Sequence, residues 1–223
     1  MTETVISVQG THTGWFPAER ATVAVSISFD GPDREPVFDS ATAALDAVRE
    51  TIEGLHDPGD GPITWWSADS VRVWSQRPWN ESGEQLAPVH HAALDLSAKF
   101  SDFDALARWI EKVVAIPGAS VGYIAWSLTE ARLTSVTAEV RSRAVKDAVS
   151  KASVYAQSIG LGSVTATAIA DPGMLGDSST TPASGYDRMM MKSGLDSAGG
   201  SPLALKPEQI EVSASVDARF VAR

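Results

Sequence analysis

A chain of 223 residues with 43% hydrophobic content is long enough for one large domain or two small ones, and it can bury a substantial core. The formal charge of -10 argues against nucleic acid and anionic lipid as main partners, because both are polyanions that an acidic surface repels. Cysteine is absent, which excludes disulfides, thiolate zinc sites and cysteine nucleophiles together and fits a cytoplasmic protein.

The first residues, Met1 to Phe16, carry no basic start, apolar core or small-residue cleavage site, so they read as a strand and not as a signal peptide. Val5 to Gln9 alternates weakly and predicts a short strand, followed by a turn-rich link from Gly10 to Pro17. Arg20 to Phe29 is the best strand signal, with Ala21, Val23, Val25, Ile27 and Phe29 on one face and Thr22, Ala24, Ser26 and Ser28 on the other. Gly31-Pro32 breaks it, and Pro32 suits the first turn of a helix. Val37, Ala41, Ala44, Leu45, Val48, Ile52 and Leu55 then give that helix one apolar face, and the run from Asp57 to Pro62 ends it. Much of the acid lies between Asp30 and Asp60 and reads as a solvated helix face.

Ile63 to Trp79 predicts one long strand, Asn80 to Pro88 a hairpin loop, and Val89 to Phe100 the return strand. Ser101 or Asp102 caps a helix whose apolar positions are Phe103, Leu106, Ala107, Ile110, Val113 and Val114. Pro117-Gly118 stops it, and Ser120 to Thr129 is a strand. The next helix, in the stretch from Thr134 to Gly160, is the most regular element. Val136, Val140, Ala144, Ala148, Ala152 and Ala156 recur every fourth residue and form a narrow ridge of small side chains that a neighbour can approach closely. Val145, Val149 and Ile159 are expected to widen that face, and Gly160 to supply the left-handed residue at its end. Ser163 to Ala170 is a strand, Asp171 to Pro207 a long flexible loop rich in Gly, Ser and Pro, and Gln209 to Val221 a closing strand.

The order β-β-α-β-β-α-β-α-β-loop-β predicts an α+β fold of largely antiparallel sheets with helices packed on one face. It forms a single domain over 1–223, which divides into two intertwined halves of about 1–100 and 101–223 with the C-terminal strand returning to the sheet. The piece from Ser120 to Ala170 reads as a β-α-β crossover or part of a split ferredoxin-like unit.

Chemical motifs are sparse. Gly118-Ala-Ser-Val-Gly122 matches G-x-S-x-G in letters, but a helix precedes it and a strand follows, the reverse of a nucleophile elbow. Gly160-Leu-Gly162 follows a helix, unlike a dinucleotide fingerprint. The histidines are His12, His56, His90 and His91, and none sits in a metal-ligand spacing. His90 and His91 are adjacent in a strand and so face opposite sides, which makes them a pocket candidate only if a bulge intervenes. Four of the seven tryptophans, Trp65, Trp66, Trp74 and Trp79, fall on the one long strand, and Trp65 and Trp66 must point to opposite faces if it is regular. The outward tryptophans mark a candidate interface. Tyr186, Met189, Met190 and Met191 in the long loop are either further contact residues or a local anchor for that loop.

Three blocks of the sequence resemble the SIMPL-domain family of bacterial proteins. They are VISVQG with ATVAVSISF, the helix and turn RSRAVKDAVSKASVYAQSIGLGSV, and the ending LKPEQIEVSASVDARF. The resemblance covers nearly the whole chain in order and spacing. It implies a two-part α+β fold and a tendency to self-assemble, and it implies no chemistry. Members of the family are often exported and often carry tyrosines around the central hairpin, where this chain has Trp74, Trp79, His90 and His91. The combined reading is a non-enzymatic self-assembling or protein-binding module in the cytoplasm. Its partner would be a second copy or another protein, and it would have no cofactor, no metal and no integral membrane segment. The alternative is a small-molecule-binding protein or hydrolase with a pocket near the 171–207 loop.

Overall fold

A computed structural model of the chain describes residues 3–175 and 205–223. The predicted loop lies largely outside these residues, as do Tyr186, Met189, Met190 and Met191. The described elements are three helices and eight strands, and every strand pairing is antiparallel, so the fold is α+β. The chain divides into two compact units. One comprises Met1–Pro17, Leu128–Met191 and Gln209–Arg223, and the other Ala18–Ser127 and Lys192–Glu208. Among the described residues no helix is long and apolar enough to cross a membrane.

The first unit is a three-stranded sheet with one long helix on it. Its strands are β1 (Thr4–Pro17), β7 (Val164–Ala170) and β8 (Gln209–Ala222), in the order β1-β8-β7. Helix α3 (Glu130–Ser158) buries the whole four-residue ridge from Val136 to Ala156. Its alanines pack on Ile6, Val216, Ala218 and Phe220. The face is narrower than the spacing suggested: Val145 packs against the core, whereas Val149 and Ile159 are exposed. A row of i, i+4 residues runs obliquely to the helix axis, so one ridge suffices where a helix crosses the strands of a twisted sheet. Thr129 caps the helix by accepting the Arg132 N–H at 3.3 Å. At the other end Gly160 has φ +79°, the Gly160 N–H donates to Gln157, and the Leu161 N–H donates to Ala156. These are the bonds of a Schellman stop.

β1 is continuous, and the predicted turn-rich link from Gly10 to Pro17 is part of it. The glycine at position 10 is a packing device. A Cβ there would strike the carbonyl oxygen of Ala144 and lie 2.7 Å from the Ala148 Cβ. Around this seat the Thr11 N–H donates to Asp147 Oδ2 at 2.8 Å, and Lys151 Nζ donates to the Gln9 carbonyl at 3.0 Å. Asp147 and Lys151 also pair with each other at 2.6 Å.

The Asp147 carboxyl is held below the usual aspartate range, first by the hydrogen bond from Lys151 and then by the Thr11 N–H. The charges of Lys151 and His12 add to this, and partial burial opposes it. A depressed folded value means a stabilisation that is present above the unfolded value, about pH 4, and lost as the pH falls through the folded one. In denaturation series of wild type and Asp147→Asn, the stability gap is therefore expected to be full at neutral pH and to shrink below about pH 4. A gap that stays constant from pH 7 to pH 3 contradicts this.

The second unit contains β2 (Arg20–Gly31), α1 (Arg34–Glu53), β3 (Ile63–Ala68), β4 (Arg72–Gln76), β5 (Val89–Phe100), α2 (Phe103–Val114) and β6 (Ala119–Ser127). Its five-stranded sheet runs β3-β5-β2-β6, with β4 also pairing β5 beyond β3. Strict alternation sets the register: Ala21 opposes Phe100, Val23 opposes Ala98, Val25 opposes Leu96 and Ile27 opposes Leu94. All are buried under α1 and α2. α1 starts at Arg34, so Pro36 and not Pro32 lies in its first turn. Asp102 caps α2 by accepting the N–H groups of Asp104 at 2.9 Å and Ala105 at 3.0 Å. Ser101 instead donates its hydroxyl to Gly61. Trp109, absent from the predicted apolar set of α2, is fully buried, whereas Val114 is exposed.

Two sequence expectations fail here. The long strand from Ile63 to Trp79 is broken after Ala68, where Asp69 and Ser70 favour a turn over a pleated strand. The run from Ser120 to Ala170 is not a crossover, because β6 lies in the five-stranded sheet and β7 in the three-stranded one. α3 seats on β1 and β8, the strands that present Gly10 and a row of small or apolar residues to its ridge.

Candidate functional site

α1 and α2 cover one face of the five-stranded sheet, and alternation sends a different set of side chains to the other. On β3 the register shifts between Ile63 and Trp65. This bulge decides the fate of the adjacent tryptophans, since a one-residue slip exchanges the faces of all that follow. Trp66 pairs with Ala98 and packs on the core, while Trp65 pairs with Lys99 on the opposite face. Trp65 is 46% exposed, with Lys99 Nζ 5.6 Å from its ring centroid. On β4, Trp74 pairs with His91, and their rings stack at 5.3 Å and 19°. Trp74 is 47% exposed.

Polar groups knit the strands beside these rings. Ser26 Oγ donates to Asp95 Oδ1 at 2.6 Å, and Arg72 reaches Asp95 Oδ2 at 3.4 Å. Ser120 Oγ donates to the Ser26 carbonyl at 3.1 Å. The serine of the G-x-S-x-G string is thus an ordinary strand residue, and Gly118, with φ +79°, is the turn after α2. Tyr123, 64% exposed, sits where β6 slips against β2 between Val23 and Val25. Sequence reasoning missed Tyr123 because the bulge interrupts the alternation that would have placed it. Lys99 was readable, since it alternates with the buried Ala98 and Phe100.

The other candidates do not join this face. Trp79 lies past the end of β4, is 67% exposed, and makes an isolated bridge with Gln85. His90 pairs with Ser75 in the register adjacent to the Trp74 and His91 pair, and its Nδ1 is 2.8 Å from Ser75 Oγ. It therefore faces away from His91, and the two imidazoles do not converge on one ligand. Among the described residues no group of three or more histidine, aspartate and glutamate side chains is placed to hold a metal.

A model of the SIMPL family, described as a protein of unknown function (DUF541), matches residues 6–220. The chain belongs to the SIMPL family. The match runs from β1 to β8 and so spans both units of the SIMPL fold. No curated protein matches this SIMPL chain. The family description assigns no reaction. A functional reading of the SIMPL protein therefore rests on its own surfaces.

Proposed function

We propose that this SIMPL protein is a non-enzymatic, self-assembling module that meets a second copy of itself through the face of its five-stranded sheet opposite α1 and α2. The supporting observation is that Trp65 and Trp74, on consecutive strands, hold their rings half-exposed on that face. Tryptophan offers a large apolar area at small entropic cost and is enriched among the residues that dominate binding energy. Charge supports a second copy as the occupant. The whole chain carries -10, so two copies repel in general. On this face Lys99 and Arg72 offset Asp95 and, by register, Asp30, so the acidic charge is locally balanced here. A cytoplasmic location belongs to this reading, with the cysteine-free composition in its favour. Cell fractionation that recovers the chain with the envelope overturns that part.

Light scattering after size exclusion tests the assembly. Wild type is expected to rise above monomer mass with concentration. Trp65→Ala with Trp74→Ala is expected to weaken association by at least about 30-fold, the loss of a hot spot of about 2 kcal/mol. Circular dichroism of the variant should stay native, because both rings are outside the core. A wild type that remains a strict monomer at high concentration defeats the proposal.

A further inference from the structure

We infer that Asp147 and Lys151 act as a side-chain substitute for a neighbouring strand, closing the outer edge of β1 against pairing with a second copy of the chain. This is independent of the aromatic face. β1 is an edge of the three-stranded sheet, and an edge strand presents unpaired N–H and C=O groups to any extended chain that approaches. The two groups that flank Gly10 on that edge are the Thr11 N–H and the Gln9 C=O. They are one donor and one acceptor, as a neighbouring antiparallel strand would find them. Both are taken by α3, the first by the Asp147 carboxylate at 2.8 Å and the second by the Lys151 ammonium at 3.0 Å.

The match is chemical as well as spatial. A carboxylate is purely an acceptor and faces the donor, while an ammonium is purely a donor and faces the acceptor. Spacing of four residues brings both side chains to one side of the helix, and their mutual contact at 2.6 Å holds them in place. Gly10 allows α3 to lie close enough for both to reach the strand. Removing the pair would leave a self-complementary site. With Gly10 opposite Gly10 of a second copy, each Thr11 N–H meets the other copy's Gln9 C=O across a two-fold axis.

The experiment uses the full chain carrying Trp65→Ala and Trp74→Ala, so that association through the aromatic face does not contribute. Into it are placed Asp147→Ala and Lys151→Ala together, and separately Asp147→Asn, which keeps an acceptor oxygen. Hydrogen exchange is read at the Thr11 amide against the amides of β8, and mass is read by light scattering. The double change is expected to speed Thr11 exchange about tenfold or more at low concentration, with β8 unaltered, and to produce a dimer at high concentration. Adding Thr11→Pro should abolish that dimer, since proline lacks the N–H and is tolerated on an edge. Asp147→Asn should leave Thr11 protected. If the double variant fails to fold, Lys151→Met alone is expected to give the dimer in weaker form. Thr11 exchange at the parental rate, or a folded double variant that stays monomeric, overturns the inference.

Discussion

Trp109→Ala is expected to destabilise the chain by about 3–5 kcal/mol, the range for truncating a large buried aromatic residue. The ring is fully buried between the helices and the sheet, with its centroid 5.2 Å from that of Phe100. The neighbours that would have to close the void are strand residues fixed by their register, so little relaxation is available. The indole N–H adds a second loss, because it donates to Thr51 Oγ1 at 2.8 Å. That hydroxyl donates its own hydrogen to the Val48 carbonyl at 2.6 Å, which leaves its lone pair for Trp109. Trp109→Phe separates the two effects and should cost about 1 kcal/mol for the hydrogen bond, plus a smaller cavity. Chemical denaturation of the three proteins reads both values. A Trp109→Ala chain within about 1 kcal/mol of wild type would mean that the second unit does not depend on this packing.

Gly10→Val is expected to be as damaging, at about 3 kcal/mol or more, the upper end for overpacking. The atoms in the way are the backbone of Ala144 and Ala148 and the Ala148 Cβ, none of which can swing aside. Either α3 lifts off the strand, uncovering its alanine ridge, or β1 shifts and breaks its ladder with β8. Gly54→Ala is the matched control. A Cβ at Gly54 meets nothing within 4 Å, and its φ of -74° suits any residue. That change should be neutral or mildly stabilising. Equal melting points for Gly10→Val and wild type would contradict the close seat.

The parts of the fold that were legible in the sequence are those whose signal is local. The alternation of β2 and β5 and the four-residue ridge of α3 are periodicities, and each names its own buried face. Gly160 was readable because a helix stop needs only a left-handed residue in the right place. What escaped depends on a partner distant in sequence. Gly10 looked like a turn because the helix that demands a missing side chain lies more than a hundred positions away. The assignment of strands to the two sheets was hidden because β6 and β7 flank one helix, and nothing local says which sheet that helix covers. For the candidate site, the sequence placed Trp65 and Trp66 on opposite faces, but a bulge chooses which ring is outward. Trp79 drops out because the strand was read past Gln76, where β4 ends.

The ladder between β1 and β8 has a consequence for synthesis. Thr4 pairs with Ala222, so the earliest strand waits for the latest before its sheet can close. All strands of the five-stranded sheet lie between Arg20 and Ser127, so that sheet has its full set of strands long before β8 is translated. The ladder between β1 and β8 is thus the pairing of greatest sequence separation in the fold, and closing it carries the largest loop-closure entropy. A nascent chain stalled before Gln209 would lack the central strand of the three-stranded sheet and so leave both β1 and β7 without the partner they share.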